Sequence, residues 1–379
     1  MQDPPGPPRD PLTPVPSNDG SPCSGRREPS SFADAASVAA MDLAELTTLR
    51  LGGPARAVID ATSEQQLLDA VRVADEAGDP VLVVAGGSNL VVADEGVPGT
   101  VIRVLTKGVE VDSDACSGAM VTIAAGEPWD GIVALAVDEG WVGIEALSGI
   151  PGSTGATPIQ NVGAYGQEVG QTIATVRAYD RFERKIRTIH AVDCGFGYRT
   201  SRFKAEPQRW LVLSVAYQFR LGELSAPIAY AELARTLGVE IGRRAPSAEV
   251  REAVLALRRG KGMVLDADDH DTWSAGSFFT NPLLTPDQAD ALPAEAPRFP
   301  QPDGSVKTSA AWLIDHAGFA KGDTRGHVGL STKHVLALTN RGGATTAELL
   351  GLAREVRDGV RQAYGITLVN EPVLVGCEL

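Results

Sequence analysis

The sequence predicts an α+β protein of more than one domain, and three observations carry that prediction. Short strand-patterned runs alternate with well-capped helices from about Leu46 onward. A stretch from Gly143 to Val169, GIEALSGIPGSTGATPIQNVGAYGQEV, fits neither helix nor strand: glycine weakens both, and Pro151 and Pro158 remove donors. The texture then changes near Leu221, where helices begin to dominate. The glycine stretch is either a path of bare amides beside a ligand or a structural crossover loop. Its hydroxyls (Ser148, Ser153, Thr154, Thr157) and its amides (Gln160, Asn161) make a neutral donor set suited to phosphate and a heteroaromatic edge.

Taken in order, Met1 to about Ala36, and the first forty residues generally, are rich in Pro, Ser, Asp and Gly and read as a disordered extension; Met41 is a candidate true start. Thr47 to Ile59 reads as strand interrupted by Gly52, Gly53 and Pro54. Ser63 to Gly78 reads as a helix, with a Ser63/Gln66 capping box and an apolar face of Leu67, Val71 and Ala74. Val81 to Val84 is a buried strand that runs straight into the turn Gly86-Gly87-Ser88-Asn89. That turn is neither GxGxxG nor a Walker loop, and the run from Gly195 to Thr200 ends wrongly for a dinucleotide fingerprint, so a Rossmann fold is not supported. Val101–Leu105 and Val121–Ala125 are strands, Asp130–Glu139 a helix, and Ala174–Tyr179 with Lys185–Ile189 a hairpin. Leu211, Leu213, Val215, Tyr217 and Phe219 share one strand face. Beyond Leu221, Ser247 caps a helix to Arg259, Ser309–His316 is a short helix and Val335–Thr339 a strand. Thr345–Tyr364 is the longest helix, with a Thr345/Glu348 capping box, and Ile366–Val375 a last strand.

Composition bounds the function. The 379 residues carry 34 Lys and Arg against 48 Asp and Glu, a formal charge of -14, which argues against a nucleic-acid binder. An anionic ligand therefore needs a local basic pocket. The 4 cysteines are scattered and form no CxxC pair, as fits a reducing cytoplasm, and no run is apolar enough to span a membrane. No metal site is expected: the acidic run Asp266–Asp271 lacks the glycine and closing glutamate of a calcium loop and reads as solvated.

Three stretches can carry chemistry. Arg199 in GFGYRTSRFK offers a fork for a carboxylate, or is a surface arginine. Ser277 in WSAGSFFTNP is an exposed hydroxyl against an apolar wall, or a turn serine; GxSxG is absent. Glu371 in VNEPVLVG is a carboxylate in an apolar strand that needs a partner, or a strand end facing water. Lys261, between two glycines, either reaches a phosphate or is solvated. His334 is by default a satisfied core or rim histidine.

In this order and spacing, AGGSNL (85–90), SGIPGSTGATPIQNVGAYG (148–166), FGYRTS (196–201), AGSFFTNP (275–282) and NEPVL (370–374) resemble the UDP-N-acetylenolpyruvoylglucosamine reductases. The similarity runs from about Leu46 to Gly376. It implies a two-part FAD-binding region of the vanillyl-alcohol-oxidase type (41–105, to which 366–379 can return, and 106–221) plus a separate α+β substrate-binding domain (222–365). It implies FAD held by Gly86, Gly87, Ser88, Asn89, Gly152, Thr154, Gly155, Ile159, Asn161 and Gly163. NADPH would be the reductant and a UDP-sugar enolpyruvyl ether the substrate. Arg199 and Glu371 match the family's enolate stabilisers and Ser277 its proton donor. Tyr198, Tyr230, Lys261 and Asn281 match substrate-binding positions, Tyr230 on a lid loop. Two positions depart from the pattern: His334 stands where some relatives have glutamine, and Val375 where many have Arg or Lys. A monomeric cytoplasmic enzyme is expected. The alternatives are a non-catalytic nucleotide-sugar or flavin binder, which would not need Ser277, Arg199 and Glu371 together, and a flavin oxidase. The latter usually carries a covalent flavin on His or Cys, and neither residue lies in either glycine segment.

Overall fold

The computed structural model describes residues 41–114 and 116–379, so the extension expected over the first forty residues lies outside the described residues. The first layer comprises β1 (Met41–Asp42), β2 (Pro54–Ala61), α1 (Glu64–Ala77), β3 (Val81–Val84), β4 (Leu90–Val92) and β5 (Val97–Val104). The sheet order is β1-β2-β5-β3, with β5 parallel to both β2 and β3. Successive residues of β5 serve two cores: Val101 packs with Val58 and Val84, while Ile102 faces α1. Helix α1 starts at the expected Ser63/Gln66 box and stops at Gly78, whose φ is 67°. Leu67, Leu68 and Val71 are buried on the face it turns inward. The strand expected from Thr47 begins only at Pro54. Ahead of it, Arg50 sits at φ 52°, and Leu49 and Leu51 are drawn into the C-terminal core.

The second layer is antiparallel. It runs through β6 (Val109–Asp114), β7 (Gly118–Ala124), α2 (Trp129–Asp138), β8 (Trp141–Val142), the small hairpin β9 (Gly163–Ala164) and β10 (Gln167–Glu168), β11 (Ile173–Asp180), β12 (Lys185–His190), the short α3 (Arg202–Ala205) and β13 (Trp210–Leu221). The order is β12-β11-β13-β7-β6, with β8 alongside β13. The expected face of β13 is buried, and Tyr217 stacks on Phe219 at 5.5 Å.

The remainder holds α4 (Ala231–Leu237), α5 (Ser247–Gly260), β14 (Leu283–Leu284), α6 (Pro286–Asp290), β15 (Phe299–Pro300), β16 (Val306–Lys307), α7 (Ala310–His316), β17 (Thr324–Arg325), β18 (Val328–Leu330), β19 (Leu338–Asn340), α8 (Thr346–Tyr364) and β20 (Val373–Val375). Helix α8 has its Thr345/Glu348 box and buries Leu349, Leu352, Val356 and Val360. Its first turn also donates the Thr346 and Ala347 amides to Asp94, at 2.7 and 2.9 Å.

Four expectations need correction. Ser247 is the first helical residue rather than the cap; Pro246 occupies the cap position, and the Ser247 hydroxyl has no partner among the described residues. The strand at Val335–Thr339 shifts to Leu338–Asn340, because the Ser331 hydroxyl accepts the Lys333 and His334 amides and turns the chain there. The last strand shrinks to Val373–Val375, parallel to Leu90–Val92. Residues before it pair instead with the Ser277 segment. The acidic run is not simply solvated: Asp271 is buried, accepting from Thr332 and Arg341, and Asp269 pairs with Lys333.

Candidate active site

Two glycine turns meet back to back. The turn after β3 carries Gly86 within contact of Gly152, so close that a Cβ on Gly86 would lie 2.6 Å from the Gly152 Cα. Gly87 has φ 58°, and a side chain there would collide with the Leu46 carbonyl. The Ser88 hydroxyl ties the turns by donating to the Pro151 carbonyl at 3.0 Å. Among the described residues, the amides of Gly86, Gly87, Ser88, Asn89, Gly152 and Ser153 find no backbone acceptor. Buried backbone donors are almost always paired, so the orphaned Gly87 and Ser153 amides, with four more on the same facing turns, offer a cradle for an anion. The Ser153 hydroxyl is likewise buried and unpartnered. Both turns line a cavity of about 820 Å³, which Gly155, Ile159 and Gly163 also line. Donors, orphans and room fit the pyrophosphate and ring of FAD.

Arg199, Ser277 and Glu371 line the same cavity. Arg199 occupies a left-handed conformation at φ 54°, flanked by reciprocal Gly197–Thr200 backbone bonds of 3.1 and 3.2 Å. Lys204 donates to the Arg199 carbonyl at 3.0 Å. The guanidinium donates through Nε to Glu371 Oε1 and through Nη2 to the Gly163 carbonyl, both at 2.8 Å. Ser277 is carried to this pair by main-chain pairing: the Glu371 amide donates to the Phe278 carbonyl at 2.8 Å, and Thr280 donates to Val369 at 3.0 Å. Phe278 and Phe279, both buried, anchor that segment edge to face at 5.1 Å. An arginine, a serine and an acid from three distant stretches thus meet in one cavity.

None of the residues expected to bind substrate, Tyr198, Tyr230, Lys261 and Asn281, lines the cavity. The Tyr198 hydroxyl accepts from the Asn281 amide at 3.3 Å, and Lys307 lies 4.7 Å above the Tyr198 ring. Burial raises the Tyr198 phenol, Arg199 offsetting part of that, so it stays protonated. Asn281 spends its carbonyl on the Ala310 amide. Tyr230 meets Tyr165 edge-on at 5.4 Å, and Lys261 pairs with Glu232 at 2.5 Å. His334 is pushed down to about 4, first by burial and then by Lys261 and Lys321. It is a neutral ring at physiological pH.

Thr154 and Asn161 do not line the cavity as expected of flavin contacts. Thr154 is fully buried and donates to the Glu127 carbonyl at 3.2 Å. Asn161 sits at φ 48° and braces the loop, donating to Glu168 and Gly197 and accepting from Gly170. Two site residues, Lys204 and Arg258, were not foreseen, and Gln160, expected as a ligand donor, serves the loop instead. Gln160 accepts from Asn89 at 3.0 Å, locking the two turns together. Lys204 and Arg258 line the cavity; burial lowers both, and Arg258 Nε has no partner among the described residues. The sequence signal for Lys204 was its place in the FGYRTSRFK run; nothing marked Arg258 among the helix's other arginines.

Comparison with known proteins agrees with this geometry. An FAD binding domain profile matches residues 55–181, and the profile of the UDP-N-acetylenolpyruvoylglucosamine reductase C-terminal domain matches residues 268–375. Fold and site define an FAD-dependent oxidoreductase. The UDP-N-acetylenolpyruvoylglucosamine reductase of Cutibacterium acnes is 59% identical over 340 residues, covering 89% of this chain and 90% of that protein. That of Streptomyces avermitilis is 57% identical, covering 89% and 94%. The crystal structure of the Thermus caldophilus reductase superposes with a TM-score of 0.60 at 25% identity, covering 89% of this chain and 98% of that one. The chain belongs to the UDP-N-acetylenolpyruvoylglucosamine reductase family.

Proposed function

We propose that this protein reduces the enolpyruvyl ether of UDP-N-acetylglucosamine to UDP-N-acetylmuramate, a precursor of peptidoglycan, with electrons from NADPH. The observation that carries this reading is the Arg199–Glu371 pair, at 2.8 Å, sharing a cavity with Ser277 and the amide cradle. The two glycine turns, Gly86 to Asn89 and Gly152 to Gly155, would hold FAD, whose chemistry there would be delivery of a hydride.

The chain's own residues manage the charge that follows. Reduction at the terminal vinyl carbon leaves an enolate on the adjoining carbon and carboxylate. Two of the Arg199 donor edges are committed to Glu371 and Gly163, which fixes the plane of the guanidinium. The remaining Nη1 edge meets the substrate carboxylate, where negative charge grows. Glu371 holds that orientation and bonds the enol form. Ser277 gives its hydroxyl proton to the enolate carbon. A serine is a weak acid in water, but a strongly basic carbon in a closed site can accept from it. Tyr198, Tyr230, Lys261 and Asn281 hold the nucleotide side.

The same reading divides the labour: 41–105 with 366–379, and 106–221, bind the flavin, while 222–365 binds the substrate. It also carries a cytoplasmic monomer, since NADPH and nucleotide sugars are cytoplasmic and one chain supplies every residue named. No helix among the described residues is long and apolar enough to cross a membrane. The test is spectroscopic. The purified protein should be yellow, bleach with NADPH and recover on adding the enolpyruvyl substrate. Continued NADPH consumption beyond one equivalent per flavin without that substrate would overturn the assignment.

A further inference from the structure

Lys261 is the C-terminal cap of α5, and Glu232 lies in the first turn of α4, two residues after its N-cap Tyr230. Their side chains are joined at 2.5 Å and remain 31% and 35% exposed, so a ligand can reach the pair. The ammonium also lies 5.6 Å above the Tyr165 ring, whose edge contact holds Tyr230. The cation expected to meet the substrate's diphosphate is therefore already engaged by an internal anion.

We infer that Glu232 is an affinity-setting residue that occupies the phosphate position on Lys261 and must be displaced by the diphosphate of the substrate. The inference rests on the reading of Lys261 as a phosphate ligand. A diphosphate outcompetes a single carboxylate because it brings more negative charge and more acceptor oxygens to the same ammonium. Until it does, only the fraction of molecules with the pair open is ready to bind, and the apparent affinity falls by that fraction. Displacement also frees the first turn of α4 from the end of α5.

An ion pair about one-third exposed is a weak competitor, so the effect is small and has a defined sign. In the flavin-loaded enzyme, Glu232→Gln should tighten competitive inhibition by UDP roughly two- to fivefold. Uridine, which has no phosphate and need not displace Glu232, should inhibit as before. Glu232→Asp should move UDP the same way by less. Lys261→Gln should weaken UDP, and adding Glu232→Gln to it should change nothing further. If Lys261→Gln weakens UDP but Glu232→Gln leaves it unchanged or weaker, the inference is wrong and the phosphate role of Lys261 stands. If Lys261→Gln leaves UDP inhibition unchanged, that role fails and the inference with it. An equal gain for uridine also overturns it, since the effect would then not act through the phosphates.

Discussion

Gly86 lies against Gly152 with no room between them: a methyl group on Gly86 would sit 2.6 Å from the Gly152 Cα. The two turns present their amides to one cavity only because neither carries a side chain at the contact. Gly86→Ala should push them apart and lower flavin occupancy by tenfold or more, while the rest of the fold persists. The ratio of flavin to protein absorbance after purification measures this. Full occupancy would show that the contact does not shape the cradle.

Ser277 is held at the cavity by the pairing of its neighbours with Val369 and Glu371. Removing its hydroxyl leaves the flavin turns untouched. Ser277→Ala should bind FAD and be reduced by NADPH normally, while reoxidation by the enolpyruvyl substrate slows by about a hundredfold or more. Stopped-flow traces of the two half-reactions separate the outcomes, and an unaltered second phase would remove Ser277 from the proton-transfer step.

His334 takes a proton in the folded protein only at about pH 4, mainly because burial disfavours the charged ring. In the unfolded chain it titrates near 6.5. Between those values the unfolded state binds more protons, so this group's contribution is intact above pH 6.5 and lost as pH falls toward 4. Urea midpoints for the wild type should fall across that window more steeply than those of His334→Gln. Parallel curves would mean that His334 is not the group responsible.

Asp94 accepts the first two amides of α8, beside the Thr345 cap. Asp94→Ala should cost about 1 kcal/mol or slightly more, the usual loss for a helix cap. Denaturant unfolding reports it, and turnover of the surviving folded protein should change little.

Much of this architecture was legible from local rules. The capping boxes of α1 and α8 were readable because hydroxyl, spacing and apolar face all lie within one turn. The face of β13 was readable because alternation is a property of adjacent residues. What escaped depended on distant partners. Ser247 has the right chemistry for a cap but follows a proline that takes the position. Asn161 looked like a ligand contact, yet its side chain answers to Glu168, Gly170 and Gly197. Asp271 looked solvated until Thr332 and Arg341 came from another segment. For the site, motif order named the three residues that line one cavity, whereas the Arg199–Glu371 contact spans 172 positions and Arg258 announced itself only through burial.

Asn89 reaches the carbonyl of Glu371 across 282 positions of chain, and β20 comes to rest beside β4. During synthesis at about 5–20 residues per second, the first half of the flavin cradle emerges tens of seconds before the acid that completes the centre. On the roles proposed above, a nascent chain paused anywhere in between lacks Glu371 and cannot perform the reduction. Catalytic competence is therefore among the last properties this polypeptide acquires on the ribosome.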